Sequence, residues 1–110
     1  MALTVRQGDR EPSLTTTLRD EHGNPVDLTD ATVWLHLYDS TRRDERLYAE
    51  GTVMGPRDGT VLYHWQPSDT DQVGEFNAAW EVVYANGDRL IFDDPDPPTV
   101  EVVDDLVIED

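Results

Sequence analysis

The sequence predicts an all-β domain, a sandwich or a barrel, on three observations. Apolar residues recur at every second position, the period of a half-buried strand. Turn signals built on Gly, Pro and Asn return roughly every 8–12 residues, the spacing of short strands in sandwiches and barrels. No segment of useful length keeps a helical period. With 110 residues, the chain lies near the commonest domain size and is long enough to bury about 65% of its unfolded surface.

The strands follow in order. The first is expected over residues 3–8. The second covers 14–19, where "SLTTTLRD" alternates Leu14, Thr16 and Leu18. "EHGNP" (21–25) marks a tight turn. Over 31–39, "ATVWLHLYD" places Val33, Leu35 and Leu37 on one face and Trp34, His36 and Tyr38 on the other. A strand over 46–54 ends at "GPRDG" (55–59). Val61, Tyr63 and Trp65 line one face of a strand over 60–66, and Phe76, Ala78, Trp80, Val82 and Tyr84 line one face of a strand over 76–85. Between these two, Ser68 and Asp69 are expected to cap a single helical turn. Asn86-Gly87 predicts a type I′ hairpin into a strand over 88–92, because that turn needs two residues at positive φ. The last strand is expected over 100–108, with a slip near Asp104.

Charge dominates the composition. Twenty-four acidic residues face eight basic ones, for a net charge of -16 at pH 7. Every basic residue is Arg and there is no Lys, while Asp outnumbers Glu 16 to 8. Such a surface repels nucleic acid and anionic membranes, whose protein contacts rest on Lys and Arg. It also repels itself, which opposes compaction until salt screens it. The carboxylate-rich, Lys-free composition resembles proteins of salt-in halophiles. No stretch approaches the ~20 apolar residues of a membrane span, and "MALTVRQGDREP" lacks the apolar core of a secretory signal. Without cysteine, disulfides and thiolate metal sites are ruled out.

Catalytic constellations are missing from the sequence. His22, His36 and His64 are the three histidines, and they stand in no His-Glu-x-x-His arrangement. No phosphate-binding Gly-rich loop or Gly-x-Ser-x-Gly elbow occurs. No catalytic residue, cofactor or metal ligand is assigned, and the protein is expected not to be an enzyme. "DDPDPP" brings Asp93, Asp94 and Asp96 close together, and oxygen-rich loops can hold Ca²⁺; a chain this acidic also produces such clusters by composition alone. Trp34, Trp65 and Trp80 fit a core, with one of them available for an outer face. Tyr38 and Tyr48 flank "STRRDER", where Arg42, Arg43 and Arg46 form a basic stretch on an acidic body. These five residues are the candidate partner contacts, and Asp44 and Glu45 are alternative partners for the arginines.

"VRQGDREPSLTTTLRDEHGNPVDLTDATVWLHLYD" resembles the opening of small immunoglobulin-like domains of tailed-phage structural proteins. The matching residues are Arg6, Gln7, Gly8 and Asp9; Leu14 and Leu18; Gly23, Pro25, Val26, Asp27, Leu28 and Thr29; and Ala31, Thr32 and Val33. Gly74, Phe76, Trp80, Glu81, Val82, Tyr84, Gly87 and Phe92 continue the pattern. The chain is similar to the N-terminal domain of phage baseplate upper proteins.

The resemblance implies an immunoglobulin-like antiparallel β-sandwich of about seven to eight strands, with residues 1–110 as one domain. It also implies a virion structural role as a tail or baseplate adaptor, assembled in the host cytoplasm, with other virion proteins and copies of itself as partners in a symmetric array. Neither nucleic acid nor membrane is an expected partner. The composition points to a virus of a halophilic archaeal host. A capsid decoration protein and a soluble binding or adhesion module are the alternatives.

Overall fold

The computed structural model describes residues 2–92 and 99–103. Among them nine strands and no helix occur: β1 Ala2–Arg6, β2 Leu14–Thr17, β3 Thr32–Asp39, β4 Glu45–Glu50, β5 Thr52–Gly55, β6 Thr60–Tyr63, β7 Gly74–Val83, β8 Arg89–Phe92 and β9 Thr99–Val103. They form two sheets. The larger has six strands in the order β1-β9-β7-β3-β4, with β8 also paired to β7, and the smaller runs β2-β6-β5. Because β3 lies along one edge of β7 from Phe76 to Val83, β9 and β8 share the other edge, β9 against Gly74–Asn77 and β8 against Trp80–Val83. This is the order of an immunoglobulin-like sandwich, in which β2, β6 and β5 stand as strands B, E and D and β9, β7, β3 and β4 as G, F, C and C′.

Alternation along the strands makes the two sheets face one another. Val33, Leu35 and Leu37 of β3, Ala78, Trp80 and Val82 of β7, and Val100 and Val102 of β9 turn inward against Leu14, Val61 and Tyr63 of the small sheet. Trp65, Val26 and Leu28 join the same core from the connections. Each large side chain buried this way contributes about 1.5–3 kcal/mol. Gly59 allows the small sheet to close: it sits at φ 70, and a Cβ there would lie 2.6 Å from the Leu18 carbonyl oxygen.

Several expectations need correction. The sandwich is not wholly antiparallel, since β1 pairs with β9 in parallel, Ala2 to Thr99 through Arg6 to Val103. The expected strand over 46–54 is two strands, and the extra one makes nine. The chain leaves the large sheet at Glu50 and enters the small one at Thr52, with the Gly51 N–H bonded to the Val33 carbonyl at 2.9 Å. Ser68 and Asp69 cap no helix: Ser68 has φ 79, and Asp69 Oδ2 instead accepts from the Gln66 N–H and the Tyr63 hydroxyl. The Asn86-Gly87 turn is not type I′, because Gly87 alone is at positive φ. The Gly87 N–H bonds Tyr84 O and the Tyr84 N–H bonds Asp88 O, which makes a three-residue loop closed by a left-handed glycine. Asp93, Asp94 and Asp96, and the final part of the expected 100–108 strand, lie outside the described residues.

Candidate functional site

The outer face of the six-stranded sheet is built from the second set of alternating residues. Trp34, His36 and Tyr38 of β3 point outward beside Tyr48 of β4, Ala79 and Glu81 of β7, and Arg89 and Ile91 of β8. A solvent face would ordinarily leave such side chains independent. Here they interlock around one carboxylate.

Glu81 is only 6% exposed although it lies on the outer side of the sheet. Its Oε1 accepts from the Tyr48 hydroxyl at 3.2 Å and lies 3.1 Å from His36 Nε2, while its Oε2 accepts from Arg89 Nη1 at 2.6 Å. The other ring nitrogen of His36, Nδ1, lies 2.7 Å from Glu45 Oε2. Four strands, β3, β4, β7 and β8, are thereby tied together above their backbone ladders. The hydrogen bond from His36, with those from Arg89 and Tyr48, holds the Glu81 carboxyl below its ordinary range against the opposing effect of burial. Burial and the bond to Glu81 raise the Tyr48 phenol, and the bond to Glu81 raises the Arg89 guanidinium. A carboxylate with charge-assisted bonds on both oxygens is a strong orienting group.

The aromatic rings pack on one another. Trp34 and Tyr48 stack with centroids 5.2 Å apart and planes at 23°, and His36 lies 4.5 Å from Tyr48 on a tilted plane. The sheet thus presents an aromatic and polar surface, with Tyr48 47% and Ile91 54% exposed.

The five sequence-predicted contacts are dispersed around this network. Tyr48 belongs to it directly. Tyr38 lies one step along β3, with the Arg43 guanidinium carbon 5.2 Å from its ring centroid. Arg43 adopts φ 66, and the turn that places it is held by Asp39, whose Oδ1 accepts from the N–H groups of Thr41 and Arg42, both at 2.8 Å. Those bonds, led by the one from Arg42, keep the Asp39 carboxyl below its usual range. His36, Tyr38, Arg43 and Glu45 line an open hollow of about 330 Å³ on the outer face.

Arg42 reaches Asp44 at 3.9 Å instead. A register shift between Leu37 and Tyr38 sets Glu45, not Arg46, opposite Tyr38, and Arg42 and Arg46 together line a second cleft of about 210 Å³ with Asp39, Asp44, Gln72 and Phe76. Arg42 and Arg46 thus share one acidic cleft, and Arg43 turns away to Tyr38. Sequence reasoning missed Glu81, Arg89 and His36 as members of a network. The available signal was Glu81 itself, a single charge inside the otherwise buried run "AAWEVV".

Among the described residues no three His, Cys, Asp or Glu side chains gather as a metal set. His64 Nδ1 lies 2.9 Å from Ser13 Oγ.

No protein-family model matches the sequence, and a search of curated proteins finds no match. The fold does have counterparts among solved structures. One is the crystal structure of CopC from Methylosinus trichosporium OB3b, with a TM-score of 0.51 over 97% of this chain and 88% of that one, at 10% sequence identity. At that identity the likeness is one of fold. The class is an immunoglobulin-like β-sandwich, here one that carries an interlocked polar and aromatic layer on the outside of its larger sheet.

Proposed function

We propose that the chain is a non-enzymatic structural protein of a tailed virus particle, an adaptor of the tail or baseplate, and that it docks on neighbouring virion proteins through the outer face of its larger sheet. The observation that carries the docking reading is the Glu81-centred layer. Trp, Tyr and Arg are the residues that dominate binding at protein interfaces, and here Trp34, Tyr48 and Arg89 are held in place before any partner arrives. A side chain ordered in advance loses less freedom on binding, roughly 0.5–1.5 kcal/mol each.

The virion assignment is supported by the resemblance of Arg6–Asp9, Gly23–Thr29 and the strands that follow to phage baseplate domains. The Asp-rich, Lys-free composition supports a halophilic archaeal host. The assignment includes no cofactor, no nucleic-acid partner and no membrane partner. Quantitative mass spectrometry of gradient-purified particles, scaled to the major capsid protein, tests it. A few to a few dozen copies in multiples of three or six support the adaptor, and hundreds of copies would make the protein a capsid decoration instead. Absence from particles overturns the virion role and leaves a soluble binding module.

A further inference from the structure

The two sheets treat their edges differently. In the larger sheet the edge strands carry charge, with Arg6 on β1 and Glu45, Arg46 and Glu50 on β4. Charged edges are a usual defence against pairing with another chain. The smaller sheet has none. β2, β5 and β6 contain no charged residue in their twelve positions, although 29% of the chain is charged. At that fraction three or four charges are expected.

β2 is the more open of its two edges. It pairs with β6 through four consecutive residues without interruption, whereas the β5 pairing is broken by a shift between Val53 and Gly55, and bulges of that kind disrupt edge pairing. In immunoglobulin constant-type domains, a fourth strand lies beside the one that β2 represents. Here the first strand pairs with β9 in the opposite sheet, and among the described residues no strand occupies the place beside β2. The backbone is set to receive one. The Leu18 N–H bonds Gly59 O at 2.7 Å on the β6 side, so strand alternation directs the N–H and C=O groups of Thr15 and Thr17 to the open edge.

We infer that the open edge of β2 pairs antiparallel with β2 of a second copy of this chain, joining two small sheets into one six-stranded sheet across a twofold axis at Thr16. A twofold contact places a patch against itself. Among the described edge strands β1, β4 and β8 carry charge and β5 is bulged, which leaves β2 both uncharged and regular.

The register follows from the backbone directions. Thr15 of each copy faces Thr17 of the other as a hydrogen-bonded pair, and Thr16 faces Thr16 as a non-hydrogen-bonded pair, the closer type at a Cα separation of about 4.5 Å. The pairing joins the molecules at an uncharged margin. This inference does not rest on the virion role, and it uses a surface other than the one proposed above for neighbouring proteins.

The test uses the full chain in molar KCl, where the Debye length is about 3 Å and net charge no longer masks a short-range contact. Sedimentation velocity over a dilution series is expected to show a monomer–dimer equilibrium. Thr15→Pro removes an outward N–H that no described strand pairs with, a substitution that edge strands tolerate, and is expected to weaken the dimer by about tenfold or more. Thr17→Pro, which removes the other outward N–H of the hydrogen-bonded pair, is expected to do the same while circular dichroism stays native. Because the chain has no cysteine, Thr16→Cys is expected to give a covalent dimer on mild oxidation, and Thr52→Cys on the far edge is not. A monomer at every concentration, a dimer indifferent to both Thr15→Pro and Thr17→Pro, or equal cross-linking at positions 16 and 52 overturns the inference. A dimer that survives the β2 variants and is lost in Tyr48→Ala would place self-association on the larger sheet, also against it.

Discussion

Gly51 and the Trp80 ring share a boundary with no room for one more carbon: a Cβ on Gly51 would lie 2.6 Å from Trp80 Cζ3. Gly51 is where the chain crosses between sheets, and Trp80, 1% exposed, is the largest fully buried side chain. Backbone crossing and core filling are thus solved at the same point. Gly51→Ala is expected to destabilise the protein by about 1–3 kcal/mol, the usual range for overpacking, read from denaturant unfolding. Trp80→Phe in the same chain is expected to relieve part of that loss, and strict additivity of the two would count against a shared boundary.

The Trp34–Tyr48 stack is expected to behave as one unit. Double-mutant cycles on aromatic pairs give about 0.5–1.5 kcal/mol beyond area burial. Trp34→Ala and Tyr48→Ala, alone and together, are therefore expected to show a coupling in that range by chemical unfolding, and a coupling near zero would mean that the rings lie together without stabilising one another.

Acid is expected to weaken the fold in a way traceable to named carboxylates. Glu81, Asp39 and Asp27 are held below their ordinary values by bonds from His36, from the Arg42 N–H and from the Thr29 hydroxyl respectively. A depressed carboxylate adds stability above its unfolded pKa and loses it as pH falls through the folded one. The loss should therefore set in below the ordinary values of 4.5 for Glu and 3.8 for Asp. Measured in molar KCl, so that relief of self-repulsion does not offset it, Glu81→Gln is expected to lower stability at pH 7 and to flatten the acid slope. An unchanged slope would remove Glu81 from the account.

Salt is expected to stabilise the wild-type chain. With a net charge of -16, raising KCl from 0.1 M to molar concentration should lift the melting midpoint by on the order of ten degrees. A midpoint indifferent to salt would end the halophile reading and leave the baseplate resemblance to stand by itself.

The sandwich was legible because period two is a direct imprint of burial: Val33, Leu35 and Leu37 inside, Trp34, His36 and Tyr38 outside, as the structure has them. The break at Gly51 was hidden because alternation runs on through "ERLYAEGTVM" while the chain changes sheets, and periodicity does not record which sheet a face belongs to. The arginines of "STRRDER" were legible as a basic stretch, but not as two environments, Arg42 with Arg46 and Arg43 apart, since the register shift at Leu37/Tyr38 arises from pairing and not from local sequence. The Glu81 network was missed for a similar reason: its members come from β3, β4, β7 and β8, and only register brings them together.

The parallel ladder of β1 on β9 has a mechanical meaning. Tension applied at the Ala2 end of β1 and at the Val103 end of β9 pulls two parallel neighbours in opposite directions along their own axes. The five paired positions from Ala2–Thr99 to Arg6–Val103 are then loaded in shear and must yield together, whereas a hairpin pulled from its open end unzips one rung at a time. A domain closed by such a ladder resists stretching between β1 and β9.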